Sequence, residues 1–424
     1  MARETIFALS TAPGRAGVAV MRVSGPRSAE AIRALTGAPA PEPRKAALAR
    51  IGDLDRGLVL FFPAPSSFTG EDVAEFHVHG GRAIVEALMA ALSPFGRPAE
   101  PGEFTRRAVE NGKLDLTRAE AIADLVDAET DAQRRQALRQ YEGGLAELYE
   151  GWRAELIRAA AWAEAAIDFS DEELPADTIA RAHAALDEVR ARIERHLDDG
   201  GRGEILREGL LLTVVGPPNA GKSSLVNALA RRDVAIVAET AGTTRDVIEV
   251  RMDLGGYPVT LADTAGLREA AEAVEVEGVR RALARAKAAD LVLLLLDASS
   301  EAPPPDVKAD LTVWNKSDLR RRDGLSVSLK TGEGLDDLVA ALTEKVRDRL
   351  ESRGEAPVLT RKRHRHALQE AVHALTCALA APADRPELLA EELRLALRAL
   401  GRITGRVDIE ALLEIVFKDF CIGK

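Results

Sequence analysis

Four short apolar runs punctuate the first hundred residues, TIFALST, GVAVMRVSG, GLVLFF and AEFHVHG, each bounded by Gly or Pro. Their length and their turn residues predict β-strands, and GRAIVEALMAAL, apolar at every third or fourth position, predicts a helix after the fourth run. Residues 1–112 therefore form an α+β domain. From about Leu114 the spacing changes. TRAEAIADLVDAETDAQRRQALRQYEGGLAELYEGWRAELIRAAAWAEAAIDF and ADTIARAHAALDEVRARIERHL keep the three- and four-residue period and predict long antiparallel helices over 113–208. After DDGGRG at 198–203 apolar runs alternate with helical stretches over 209–351, the sign of a parallel sheet. Amphipathic helices return over 352–424. The expected fold class is multidomain: an α+β N-terminal domain and a helical domain into which an α/β domain is inserted, so that helices before and after the insertion share a core.

One interval breaks the alternation. Between the strands LVLLLLD and LTVW stand only the 13 residues ASSEAPPPDVKAD, three of them consecutive prolines. A parallel crossover needs about a dozen residues and usually holds a helix. Proline removes donors and clashes within a helix, so the helix here is expected to be shortened or missing.

Composition fits this layout. At 424 residues, 46% hydrophobic and 29% charged, the chain exceeds what one core usually spans and reads as soluble, with a helix-rich balance of Ala, Leu, Arg and Glu. MARETIFALSTAPG lacks a secretory pattern, and no apolar run is long enough to cross a bilayer, so a cytoplasmic protein without membrane contact is expected. The net charge of −11 disfavours long-range attraction to nucleic acid. The exception is RKRHRH at 361–366, read either as a solvated helix start or as an RNA-facing patch. Cys377 and Cys421 lack metal-type spacing and form no disulfide framework, which leaves Cys421 a free thiol, either a small buried hydrophobe or a reactive group.

The chemistry concentrates in the inserted segment. LLTVVGPPNAGKSSLVNALA joins an apolar strand to a helix through Gly216-x-x-x-x-Gly221-Lys222-Ser223, a phosphate loop in its proper context. Lys222 is expected to reach the β- and γ-phosphates and the Ser223 hydroxyl to ligate Mg²⁺. DTAG (Asp263, Thr264, Ala265, Gly266) follows the strand YPVTLA, and NKSD, including Asn315, Lys316 and Asp318, follows LTVW. The carboxylate of Asp318 can accept hydrogen bonds from N1 and N2 of guanine, which adenine cannot supply, so GTP is expected rather than ATP. SLK (Ser328, Leu329, Lys330) resembles a last guanine-binding element. AETAGTTRD supplies a switch segment with Thr244 as the Mg²⁺-sensing hydroxyl. The expected GTP-binding set is Asn219, Ala220, Gly221, Lys222, Ser223 and Ser224; Ala238, Glu239, Thr240, Ala241, Gly242, Thr243 and Thr244; Asp263 to Gly266; and the NKSD and SLK residues. Leu267 stands after DTAG, and an alkyl group cannot orient a water. Spacing leaves Glu269, Glu272, Glu275 and Glu277 open for that task, and no arginine finger can be identified, so a partner, a second copy or a metal ion is expected to supply the cation.

GPPNAGKSS, AGTTRD, DTAGLRE and the closing FCIGK together resemble the MnmE (TrmE) family of tRNA modification GTPases, and the likeness continues through SFTGEDVAEFHVHGG, PGEFTRRAVENGKLDLTRAEAIADL and LAEELRLALRALGRITG. The resemblance implies a homodimer built through a tetrahydrofolate-binding N-terminal domain. It also implies an FAD-dependent partner, MnmG, with which a (carboxymethyl)aminomethyl group is placed on C5 of the wobble uridine of certain tRNAs. The one-carbon unit would come from 5-formyl- or 5,10-methylene-tetrahydrofolate. It further implies K⁺ in place of an arginine finger, held by Asn219, Ala238, Thr240 and Thr243 when the GTPase domains meet, and Glu275 as the water-orienting carboxylate. Folate contacts fall on Arg22, Glu75, Lys113 and Lys424. Beside folate, Cys421 would suit nucleophilic or general-acid chemistry if its pKa is lowered toward neutrality. A signalling or ribosome-assembly GTPase, or a scaffold with an inactive site, remains the alternative that the residues alone leave open.

Overall fold

The computed structural model describes residues 4–168, 176–232, 234–236, 249–262, 289–305, 307–351, 357–382, 385–407, 413, 416–417, 420 and 422–423. The chain divides into two compact units, Met1–Ala123 with Tyr141–Leu174 and Ala381–Lys424, and Asp124–Gln140 with Pro175–Ala380.

The first unit holds strands β1 (Ile6–Leu9), β2 (Ala16–Ser24), β3 (Ala47–Ile51), β4 (Asp55–Phe62), β5 (Val73–Gly80) and the two-residue β6 (Arg97–Pro98), in the order β3-β4-β5-β2-β1-β6. All neighbours are antiparallel except β1 and β6. Alternation puts Met21, Val23, Ala74, Phe76 and Val78 on one face, where Ile32 of α1 (Ser28–Thr36) and Leu88 and Leu92 of α2 (Arg82–Leu92) complete a core. Helix α1 and strand β3 were not expected from the sequence. The nine-residue SAEAIRALT offers only Ala31 and Ile32 to the core, too little for a periodic signal. Helix α3 (Glu103–Glu110) sends Phe104 against Ile6, Ala8 and Ala99.

Helices α4 (Leu116–Asp127), α5 (Asp131–Tyr141), α6 (Gly144–Asp168), α7 (Ala176–Leu197) and α8 (Arg202–Glu208) follow. The second unit's sheet contains β7 (Leu210–Val215), β8 (Glu249–Leu254), β9 (Tyr257–Ala262), β10 (Leu291–Asp297) and β11 (Leu311–Asn315), in the order β11-β10-β7-β9-β8. Only β8 runs antiparallel to its neighbour. Helices α9 (Lys222–Ala230) and α10 (Leu335–Leu350) give Leu225, Leu229, Leu338 and Leu342 to the same core as Leu212, Val214, Leu293 and Leu295. The described residues of the 298–310 crossover contain no helix, as the prolines predict. They are fastened instead by Arg322, which donates to the carbonyls of Ala298 and Ser300 at 3.1 and 2.8 Å and stacks on Trp314.

Two late helices close the arrangement. Helix α11 (Lys362–Ala380) packs on α7 within the second unit, and α12 (Pro386–Thr404) packs on α6 within the first. The α/β segment is thus inserted between helices that pack on each other. RKRHRH is not a fully solvated helix start: Arg361 pairs with Asp124 at 2.7 Å, His364 is buried, and Arg365 reaches Asp199 at 2.6 Å and Glu204 at 3.0 Å, while Lys362 and His366 stay exposed. Two of the basic side chains at the helix start, Arg361 and Arg365, are spent on part-buried carboxylates. Among the described residues no helix is long and apolar enough to cross a membrane.

Candidate functional site

Strand β7 is buried along nearly its whole length and delivers the chain to the carboxyl edge of the sheet, where open α/β folds bind ligands. Gly216 follows with φ +156, and a Cβ there would lie 2.1 Å from the Leu295 carbonyl oxygen, so the loop passes β10 only because the side chain is absent. Asn219 (φ +59) and Gly221 (φ +103) then turn the backbone through the left-handed region, which Asn and Gly tolerate best. A Cβ at Gly221 would stand 2.4 Å from Asn315 Nδ2. Lys222 begins α9, and its Nζ donates to the carbonyls of Gly216 and Pro217 at 3.0 and 2.9 Å, arching over the loop. Asn219, Ser223 and Ser224 are exposed at the helix start, and Ala220 is buried beneath it. A loop of this shape points backbone N–H groups and a helix N-terminus at an anion.

Asn315 ties three segments together. Its Nδ2 donates to the Ala220 carbonyl at 2.7 Å, and its Oδ1 accepts from Leu329 N–H at 3.2 Å and from Lys316 N–H at 2.7 Å. Asp318 is exposed, with one carboxylate oxygen accepting from the buried Ser328 hydroxyl at 2.7 Å. Lys330 is exposed beside them. The phosphate loop, 95 residues before Asn315, therefore meets NKSD and SLK at one edge. Ala238 to Thr244, Asp263 to Gly266, Leu267 and Glu275 lie outside the described residues.

Sequence reasoning missed one participant here. The Lys316 ammonium is paired with Asp297 at 2.6 Å, and Asp297 Oδ1 accepts from the Ser299 N–H and hydroxyl at 2.9 and 2.6 Å. The available signal was an acidic residue closing the apolar run LVLLLLD.

In the first unit Arg22 and Glu75 face each other across β2 and β5 and pair at 2.9 Å, with the Arg22 guanidinium 5.7 Å from the ring centres of Phe68 and Phe104. Lys113 Nζ donates to the Pro65 carbonyl at 2.9 Å. Lys424 and Cys421 lie outside the described residues, but their neighbours are placed. Ile422 bridges to Pro101, and the Gly423 carbonyl accepts from the Ser10 hydroxyl at 3.0 Å. A polar network that the sequence did not announce lies close by in the chain. Arg107, almost wholly buried, pairs with Glu71 at 3.0 Å and with Glu103 at 2.9 Å, and Arg97 also holds Glu103. Burial pushes the Glu103 carboxyl up, but bonds from Arg97, the Glu100 N–H and Arg107 outweigh it and leave it below the usual carboxylate range.

Comparison with known proteins covers the chain end to end. Residues 116–421 match the family described as MnmE helical domain, and residues 5–113 match the GTP-binding protein TrmE N-terminus. Over 441 aligned residues the chain is 59% identical to the tRNA modification GTPase MnmE of Parvibaculum lavamentivorans, covering 99% of this chain and 100% of that one. It is similarly 57% identical to the protein of that name from Paramagnetospirillum magneticum, again over 99% and 100% of the two chains, and 53% identical to that of Rhodospirillum rubrum over the full length of both.

Proposed function

The chain belongs to the MnmE family of tRNA modification GTPases, and from that premise we propose that it is the GTP-hydrolysing subunit of a complex that adds a (carboxymethyl)aminomethyl group to C5 of the wobble uridine of certain tRNAs. The observation that carries this reading is the convergence of the phosphate loop, Asn315, Asp318 and Ser328 at one sheet edge in a chain alike from end to end to tRNA-modifying relatives. Asp318 and Ser328 fit the guanine edge, and Lys222 fits the phosphates. The exposed Ser223 hydroxyl in the first turn of α9 fits a Mg²⁺ ligand, with Thr244 as its counterpart. Asn219, exposed and in the left-handed region, fits a K⁺ ligand, with Ala238, Thr240 and Thr243 completing the set. K⁺ would supply the positive charge of an arginine finger, which the sequence does not identify, and Glu275 would orient the attacking water.

The proposed division of labour is an N-terminal folate-binding and dimerising domain over 1–112, a helical domain over 113–208 and 352–424, and the GTPase domain over 209–351. Arg22, Glu75, Lys113 and Lys424 are the proposed folate contacts. The Arg22–Glu75 pair supports this, since a guanidinium flanked by two phenyl rings suits a flat heteroaromatic ring. Cys421 is the proposed nucleophile or acid. The protein acts as a cytoplasmic homodimer with an FAD-dependent MnmG-type partner and tRNA.

Deleting the gene and analysing nucleosides of bulk tRNA is expected to remove the modified wobble uridine, and an unchanged nucleoside profile overturns the reading. In the purified protein GTP turnover is expected to be several-fold faster in K⁺ than in Na⁺ buffer, and equal rates overturn the K⁺ assignment.

A further inference from the structure

Lys316 adopts φ +65, a left-handed conformation that is strained for a lysine and persists only where its surroundings over-determine it. Several contacts do so. The Lys316 N–H donates to Asn315 Oδ1 at 2.7 Å, its carbonyl accepts from Leu319 N–H at 2.9 Å, and the Ala298 N–H holds the Asn315 carbonyl at 2.9 Å. The last restraint is the ion pair to Asp297. Asp297 and Asn315 are register partners at the ends of β10 and β11, so Asp297 stands at the carboxyl edge of the sheet, one strand from the residues read above as the guanine site.

The carboxylate is fixed independently of lysine. One oxygen accepts two hydrogen bonds from Ser299, leaving the other for Lys316. Burial pushes the Asp297 carboxyl up, but the bonds from Lys316 and Ser299 outweigh it, so the group is ionised. The tether stretches the lysine stem from the end of β11 across to β10. Such a methylene stem covers apolar surface while its charged head is bound elsewhere. Two residues further on, the exposed Asp318 carboxylate is engaged by Ser328 through one oxygen. A released ammonium on a flexible four-carbon stem would compete for the acceptor oxygens that guanine needs.

We propose that Asp297 is a positioning residue for guanine recognition, holding Lys316 so that its stem forms a fixed wall for the plane of the base while the Asp318 carboxylate stays free for its edge. This rests on the reading of Asp318 as the guanine-reading group, and the test separates the two.

Displacement of a fluorescent GDP analogue from the full chain, by GDP and by IDP, which lacks the N2 amine, provides the readout. Asp297→Asn is expected to weaken GDP binding roughly tenfold, the size of one charge-assisted hydrogen bond, and to narrow the preference for GDP over IDP. Lys316→Met, which keeps a stem but no ammonium, is expected to weaken GDP comparably, and adding Asp297→Asn to it is expected to change little, because both act through one contact. Ser299→Ala, which loosens the carboxylate without touching its charge, is expected to fall in the same direction by less and serves if Asp297→Asn folds poorly. Unchanged GDP binding in Asp297→Asn overturns the inference, as does an equal fall for GDP and IDP that adds to that of Lys316→Met. Asp318→Asn supplies the control: loss of the GDP preference upholds the guanine site, whereas an unaltered preference overturns that site reading itself.

Discussion

The two sheets carry their polar groups in opposite ways. At the edge of the second unit's sheet the decisive atoms belong to the backbone: the positive φ of Gly216, Asn219, Gly221 and Lys316, and the carbonyls of Gly216, Pro217 and Ala220 that accept from Lys222 and Asn315. Beside the first unit's sheet the connections run from side chain to side chain. Thr69 meets Ser24, Ser24 donates to Glu71, Glu71 pairs with Arg107, and Arg107 and Arg97 share Glu103. A site shaped by backbone geometry dictates residue types at fixed offsets, and so writes a motif. A network of side chains can be drawn from any strand or helix that passes, and writes none.

That contrast predicts unequal responses to substitution. The largest is expected in the side-chain network. Arg107→Met leaves Glu71 and Glu103 without their shared cation in a buried setting, at a cost of about 3–5 kcal/mol. Chemical denaturation is expected to show the loss while GTP turnover by the folded protein is kept. A parallel fall in turnover at unchanged stability would erase the contrast.

A smaller effect separates the helical junction of the second unit. Burial pushes His196 down to about 4 from 6.5, Asp199 opposes it and Arg365 reinforces it. The imidazole is neutral in the fold and charged in the unfolded chain between those values, so stability falls as pH drops below 6.5. Urea denaturation is expected to lose roughly 2 kcal/mol more by pH 5 in the native chain than in His196→Gln. Identical pH slopes would remove His196 from the account.

The smallest is expected at the backbone-shaped site. Asn315→Ala deletes bonds to Ala220 and Leu329, but the loop retains its glycine geometry. GDP affinity is expected to fall roughly tenfold with little change in stability, and a titration showing complete loss would mean that side chains, not backbone, hold this site too.

The same distinction governs what could be read in advance. Strand β7, the phosphate loop and α9 followed from their residues because Gly216 and Gly221 admit no Cβ. NKSD was legible through the side chains that guanine needs, yet its anchor was not, since Asp297 joins it through register between β10 and β11 and not through spacing. RKRHRH shows the converse: nothing in its six residues signalled that Arg361 and Arg365 face inward, because Asp124, Asp199 and Glu204 come from helices and turns more than 150 residues earlier. Arg22 and Glu75 became neighbours only when β2 and β5 paired.

The pairing of α6 with α12 and of α7 with α11 sets an order of events during synthesis. Helix α6 leaves the ribosome more than 200 residues before its partner exists. At about 5–20 residues per second that is a wait on the order of ten to forty seconds, during which α6 lacks the helix it packs on. Strands β7 to β11 face no such delay, since their partners are all made within one stretch. The nascent chain is therefore expected to complete the sheet of β7 to β11 before α6 and α12 have paired.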